Sequence, residues 1–146
     1  DICNSYKTNN MYPPELVKPM KEELTTVGFK ELLSAQDVDS ALAQEGTALV
    51  LVNSVCGCAA ANARPGARKA IENAKTPENL YTVFAGVDTE ATQKAREHMV
   101  PFPPSSPSIA LFKDGELVHM LERHHIEGRP AEMIAENLMG AFDEYC

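Results

Sequence analysis

Two cysteines separated by one residue are the part of this sequence best suited to chemistry. Cys56 and Cys58 flank Gly57, directly after an apolar run at residues 47–53 and directly before an alanine-rich segment. This order predicts a buried strand, a turn that carries the cysteines, and then the first turn of a helix. The unpaired N–H groups and the positive end of that helix would stabilise a thiolate, the reactive form of cysteine. The pair therefore predicts a redox-active site.

A purely structural disulfide is a weaker interpretation of the same pair. A bond between Cys56 and Cys58 would close a very small loop, so it would remove little entropy from the unfolded chain. Four cysteines in 146 residues are also too few for a secreted scaffold held together by disulfides. Residues 1–10 lack the apolar core of a signal peptide, so a reactive thiol pair favours a cytoplasmic location.

The composition is that of a globular protein and argues against two classes of partner. The chain is 44% apolar and 23% charged, with a formal net charge of -8 and no dense block of Lys or Arg. We therefore expect neither nucleic acid nor a membrane as a partner. We expect residues 1–10 to be a disordered tail or the remnant of a tag, and residues 11–146 to form a single domain. The sequence leaves the oligomeric state open.

The rest of the chain alternates between helical and extended hydrophobic patterns. Helices are predicted at about residues 13–27, 35–44, 58–74, 89–99 and 130–142, with a kink at Pro65 in the third. Strands are predicted at residues 29–33, 47–53, 80–87, 108–112 and 117–121. From residue 47 the order is strand, helix, strand, helix, hairpin and helix, which resembles the thioredoxin fold. We therefore predict an α/β protein with a mixed central sheet, flanking helices and an N-terminal helical and strand extension.

A proline-rich loop at residues 100–107 precedes the predicted hairpin. In the thioredoxin fold, the residue ahead of the first hairpin strand is a cis-proline that faces the cysteines. Pro107, which follows Ser106, occupies this place, and a cis peptide bond is accessible at low cost only before proline. A substrate chain could then pair with the Ser106 backbone by strand addition. The alternative is a loop without any role in contacts.

Over nearly its whole length, residues 12–146, the sequence resembles the bacilliredoxin branch of the thioredoxin superfamily. The resemblance rests on residues 52–60 (VNSVCGCAA), 63–65 (ARP), 82–86 (TVFAG), 104–108 (PSSPS), 123–124 (RH), 126–128 (IEG), 141–143 (AFD) and 146 (C). It implies a thiol–disulfide oxidoreductase that removes bacillithiol from mixed disulfides on cytosolic proteins. Bacillithiol would be a co-substrate, the clients would be bacillithiolated proteins, and no bound cofactor is expected.

The two cysteines can be given separate roles. We expect Cys56 to be the nucleophile, because it precedes the helix and its sulfur should be the more exposed and the closer to the helix dipole. It would take up the small thiol as a mixed disulfide, which Cys58 or a second bacillithiol would resolve. Gly57 should let the backbone bend until the two sulfurs meet. Val50 stands where ordinary thioredoxins place a buried aspartate, so their proton transfer at the second cysteine does not carry over.

Bacillithiol carries malate carboxylates, so the resemblance also implies a basic group near Cys56. Arg64 on the catalytic helix, and Arg123 and His124 at the end of the last strand, are the candidate substrate-binding residues. Each of them is as consistent with a solvated surface charge.

Other functions use the same cysteines. A general disulfide reductase or isomerase of thioredoxin type would accept peptide disulfides, whereas a non-enzymatic protein would use the thiols for metal binding or redox sensing. His124 and His125 are adjacent, and adjacent side chains on a strand point apart. With no third ligand at a suitable spacing, we expect no metal site.

Overall fold

One five-stranded mixed sheet organises the part of the chain that the structure, a computed structural model, describes: residues 12–146. The predicted tail at residues 1–10 lies outside the described residues. The strands are β1 (Lys30–Glu31), β2 (Thr47–Asn53), β3 (Asn79–Phe84), β4 (Ser108–Lys113) and β5 (Glu116–Leu121). Their order is β1-β3-β2-β4-β5, with β1, β3 and β2 parallel and β4 and β5 antiparallel to their neighbours. The predicted mixed central sheet is confirmed.

Helices cover both faces of this sheet. They are α1 (Pro14–Thr25), α2 (Ala35–Leu42), α3 (Arg64–Ala70), α4 (Thr89–Glu97), α5 (Arg123–Ile126) and α6 (Ala131–Tyr145), and a π-helix (Ala59–Ala63) leads directly into α3. Ser34 caps the start of α2, because its hydroxyl accepts a hydrogen bond from Asp37 N at 3.1 Å. Within the described residues, no helix has the length and apolar character that a membrane crossing needs.

Strand β2 lies at the centre of the molecule and ends at the cysteines. All seven of its residues are buried, as its continuous apolar sequence predicts. Because side chains alternate along a strand, Leu49 and Leu51 pack into the core beneath α3 and α6, and Val50 and Val52 pack beneath α2 and α4. Burial on both faces fixes the end of β2, and therefore the start of the turn that follows.

The predicted helix at residues 58–74 differs most from the structure. Its first part is the π-helix, in which Arg64 N bonds to Ala59 O, and only then does regular α3 begin. Pro65 has no N–H to donate, so the series of α-helical hydrogen bonds lacks one bond at this point. The helix also ends early, at Ala70, because Glu72 N and Asn73 N close tighter bonds to the carbonyls three residues before them.

Candidate active site

The turn between β2 and the π-helix holds both cysteines, as the sequence predicts. The first helical N–H groups, those of Ala59 and Ala60, donate to Cys56 O at 3.0 and 3.1 Å. Cys56 is therefore the residue at which the helical bonding begins. Cys58 lies within that first turn.

The exposure of the two thiols is the reverse of what we predicted. Cys56 is 1% exposed, whereas Cys58 is half-buried. Cys56 is disulfide-bonded in this structure, and Cys58 and Cys146 are free thiols. A second atom bonded to the Cys56 sulfur removes accessible surface from it, which explains part of this burial. Because Cys58 is free, the bond between Cys56 and Cys58 is not formed here.

Arg123 is the basic residue that the fold brings to Cys56. Its Nη1 lies 3.8 Å from Cys56 Sγ and donates to Ser106 O at 3.5 Å. The Nε atom pairs with Glu127 Oε2 at 2.9 Å, and the backbone N donates to Ser105 Oγ at 3.2 Å. A guanidinium this close to a sulfur favours its thiolate form. The expected basic group near Cys56 is therefore present, and among the three candidates it is Arg123.

The other side of the site is the proline loop. The Ser106–Pro107 peptide bond is cis, as predicted, and so is the bond between Val100 and Pro101. Arg123 reaches both the Ser106 carbonyl and the Cys56 sulfur. Ser106 O and Cys56 Sγ therefore both lie within reach of one guanidinium nitrogen.

His124 is not brought to the cysteines. Its ring is exposed, lies 3.9 Å from Glu122 Oε2, and packs against the His125 ring with centroids 4.0 Å apart. The structure starts a short helix, α5, directly after β5. This helix directs Arg123 towards Cys56 and places His124 in solvent.

Arg64 is neither a surface charge nor a substrate contact, so both interpretations of it are wrong. It is 1% exposed, and its Nη1 donates to Asn53 Oδ1 and to Ser54 O, each at 2.9 Å. The Nε atom lies 3.2 Å from Glu23 Oε1. A buried cation is stable only with such partners. Arg64 therefore supports the cysteine turn from the inside of the protein.

Asn53 and Ser54 are site residues that the sequence reasoning missed. Asn53 Oδ1 also accepts from Ser54 N at 2.8 Å, and Asn53 Nδ2 donates to Met20 O at 3.2 Å. Ser54 Oγ accepts from Cys56 N at 3.3 Å. The available signal was an amide side chain at the end of an otherwise apolar buried strand, because such a group needs buried partners. The resulting network connects α1, β2 and the cysteine turn.

Gly57 is exposed and has room around it. A Cβ atom at this position would meet nothing within 4 Å, and Gly57 is not among the glycines with positive φ. The present conformation of the turn therefore does not require a glycine. The bend that would join Cys56 to Cys58 stays a prediction, because that bond is not formed in this structure.

Glu122, His124 and His125 place one ligand atom each within 4.8 Å of one another. The reasoning that the two histidines point apart and lack a third ligand is therefore wrong. However, His125 Nδ1 accepts from Glu122 N at 3.0 Å in a reciprocal cap of α5. Burial, followed by the charge of His124, lowers the pKa of His125, so its neutral form is favoured. These contacts describe a helix cap, and the absence of a bound metal stays a prediction.

Comparison with known proteins identifies the family. The Disulphide isomerase family model matches residues 12–146. A bacilliredoxin of Cytophaga hutchinsonii is 58% identical over 134 residues, which are 92% of this chain and 99% of that protein. The chain belongs to the bacilliredoxin family. A second bacilliredoxin, from Koribacter versatilis, is 51% identical and covers 93% of the chain and 94% of its own length. As a bacilliredoxin-family member, the protein is a thiol–disulfide oxidoreductase.

A solved structure agrees with the fold of this bacilliredoxin-family chain. Mitochondrial thioredoxin 3 from Saccharomyces cerevisiae, in its oxidised form, superposes with a TM-score of 0.55 at 16% identity. The match covers 84% of this chain and 98% of the thioredoxin. The thioredoxin-like fold predicted from the order of the elements is confirmed.

Proposed function

We propose that the protein removes bacillithiol from mixed disulfides on cytoplasmic proteins, with Cys56 as the nucleophile. The observation that carries this proposal is the position of Arg123, whose guanidinium lies 3.8 Å from Cys56 Sγ and bonds the Ser106 carbonyl. One cation can therefore serve both the thiolate and the substrate that docks beside it. The bacilliredoxin names of the relatives support bacillithiol as the small thiol.

In the first step, the Cys56 thiolate attacks the bacillithiol sulfur of the client's mixed disulfide. A bond forms between Cys56 and bacillithiol, and the bond between bacillithiol and the client breaks. The electron pair leaves on the client sulfur, which takes up a proton, so the client is reduced and Cys56 is oxidised. Arg123 keeps Cys56 in its thiolate form before the attack.

The second step returns the small thiol to solution. The Cys58 thiolate attacks Cys56 Sγ, bacillithiol leaves as a thiolate, and a disulfide forms between the two cysteines. Alternatively, a second bacillithiol attacks the bound one, which releases bacillithiol disulfide and the Cys56 thiolate. Cys58 is a half-buried free thiol two residues away, so it is available for the first route.

The substrate is held by the same groups. Arg123 is the candidate for the bacillithiol carboxylates, because arginine pairs with carboxylates in a fixed geometry. The backbone of Ser106, before the cis-proline, is the candidate edge for the client chain. His124 is exposed and contacts Glu122 and His125, so we assign it no role in binding.

A general disulfide isomerase or reductase is the second candidate. The description of the matching family model, Disulphide isomerase, favours it. It would use the same Cys56 attack, directed at a disulfide between two protein cysteines. The two candidates therefore differ in substrate and not in site.

The test uses reduced protein and a bacillithiolated client, with adducts followed by intact mass. We expect wild type and Cys58→Ala to remove bacillithiol from the client, and Cys58→Ala to retain the adduct on Cys56. Cys146→Ala is the matched control and should behave as wild type. Removal by Cys56→Ala would exclude this mechanism, whereas a wild type that acts only on peptide disulfides would favour the isomerase.

A further inference from the structure

A concave surface that does not include Cys56 borders the proline loop. It is a groove of about 510 Å³ between α4 and the start of the loop. Six of the residues that line it are Thr89, Thr92, Arg96, Val100, Phe102 and Pro104. The mechanism above uses none of them.

Arg96 is a partly buried cation without a carboxylate partner among the described residues. Among residues 12–146 its buried Nε has no hydrogen-bond partner, and its Nη2 donates to Ser105 O at 3.5 Å. Glu97, the acidic residue of the groove, is paired with Lys94 at 3.2 Å. Burial lowers the pKa of Arg96, as expected for a cation held away from water. Such a group is stabilised by an anion that enters the groove.

The rim of the groove is apolar. Val100 is 67% exposed and Phe102 is 37% exposed, and both belong to the loop wall. Two large exposed hydrophobic side chains beside a cation suit a ligand that has an apolar group next to an acidic one. Bacillithiol, with its sugar and carboxylates, would leave this rim uncovered, whereas a polypeptide could cover both parts.

The groove is continuous with the edge where the client is proposed to dock. Pro104 lines it, and the next two residues of the loop are Ser105 and Ser106. Arg96 donates to Ser105 O, and Arg123 N donates to Ser105 Oγ. An extended chain advances ~3.3 Å per residue, so a client paired with Ser106 would reach the groove within a few residues.

We propose that this groove binds a client segment with an Asp or Glu next to an apolar residue, close to the modified cysteine. Arg96 would pair with the carboxylate, and Val100 and Phe102 would contact the apolar side chain. This inference deepens the proposed function, and it rests on it for the nature of the modification and for the pairing of the client with Ser106. Binding in this groove would make clients with and without this segment differ in KM, whereas the rate of the chemical step would be the same.

The test compares bacillithiolated peptides that differ only near the cysteine: Glu-Leu, Gln-Leu and Glu-Ser. We expect wild type to favour Glu-Leu over Gln-Leu roughly tenfold in kcat/KM, through KM, as one charge-assisted hydrogen bond would give. Arg96→Gln should bring this ratio close to one, and Arg96→Lys should keep part of it. Phe102→Ser should remove the preference for Glu-Leu over Glu-Ser. Arg68→Gln, an exposed arginine on α3, is the charge control and should keep both preferences.

Three results would overturn the proposal: no preference in wild type, a preference that survives Arg96→Gln, or equal losses on all peptides in Arg96→Gln. The last would assign Arg96 to the small thiol. The same peptides carrying an aromatic thiol in the mixed disulfide separate this inference from the proposed function. If only the aromatic series is reduced, and with the acidic preference, the bacillithiol assignment fails and the groove assignment holds.

Discussion

Two arginines contact the cysteine turn, and they differ in burial and in role. Arg64 lies beneath the turn, is 1% exposed, and is fixed by Asn53 and Ser54. Arg123 lies above it, is partly exposed, and reaches Cys56 Sγ. A buried cation that donates to buried acceptors holds those acceptors in place, and loss of one partner there is costly. A partly exposed cation adds little stability, but it acts on the charge of the atom beside it.

Removal of the buried arginine is the strongest test of this division. Arg64→Met would remove the buried donor to Ser54 O and one of the two donors to Asn53 Oδ1, so we expect the free energy of unfolding to fall by about 3 kcal/mol. Urea denaturation measures the change. Arg68→Met, an exposed arginine on the same helix, should change stability by less than about 0.5 kcal/mol. A similar small change for Arg64→Met would show that the turn does not depend on it.

Removal of the partly exposed Arg123 should affect the reactivity of Cys56 rather than the stability of the fold. With Arg123→Gln, we expect alkylation of reduced Cys56 near neutral pH to slow about tenfold, because the thiolate loses its nearby cation. The free energy of unfolding should change by less than about 1 kcal/mol. Iodoacetamide kinetics and urea denaturation provide the two readouts, with Arg129→Gln as the control on a neighbouring exposed arginine. A large loss of stability without a change in the alkylation rate would show that Arg123 supports the fold and does not act on Cys56.

Substitution of Glu127 tests the opposite change, a stronger effect of Arg123 on Cys56. It pairs with Arg123 Nε at 2.9 Å, with 60% of its side chain exposed, and so competes with the sulfur for the cation. Glu127→Gln should therefore speed alkylation of Cys56 about twofold, the size expected of an exposed pair. The gain should shrink in high salt. Slower alkylation would mean that Glu127 holds Arg123 in place instead.

The smallest effect concerns pH. Burial lowers the pKa of His125 below its ordinary 6.5, so the folded protein favours the neutral ring that accepts from Glu122 N. This contribution to stability is complete above pH 6.5 and declines as the pH falls through the lowered value. Solvent screening keeps it to roughly a few tenths of a kcal/mol. Urea denaturation across this range should show a steeper acid loss for wild type than for His125→Gln. An equal pH dependence of stability in wild type and His125→Gln would show that this helix cap does not contribute to it.

The sequence predicted the parts of the site that local chemistry determines. The continuous apolar run fixed β2, and a proline ahead of the hairpin predicted the cis bond before Pro107. The burial of Arg64 could not be predicted in this way, because an arginine in a helical pattern is normally exposed. Its partners come from α1 and the end of β2, which only the tertiary fold brings together.

The short helix α5 shows a second limit of the sequence. Four residues are too few to show a helical period, so the sequence places Arg123 and His124 at the end of the last predicted strand, residues 117–121. The pairing of Glu122 with both histidines was lost with that assignment. The exposure of Cys56 was also mispredicted, because its bonded state and the position of Arg123 are not local properties.

The π-helix at Ala59–Ala63 lies between Cys58 and Arg64, so it sets the angle about the helix axis between their side chains. Each turn of a π-helix holds about one residue more than an α-helical turn, and one residue corresponds to ~100° of rotation about the axis. Deletion of one alanine from this segment would restore regular α-helix and rotate Cys58 by about that angle relative to Arg64. Either the thiol would turn inward or the guanidinium would turn outward. The extra residue thus sets the angle between two side chains of one continuous helical segment, so that Cys58 stays half-buried while Arg64 is fully buried.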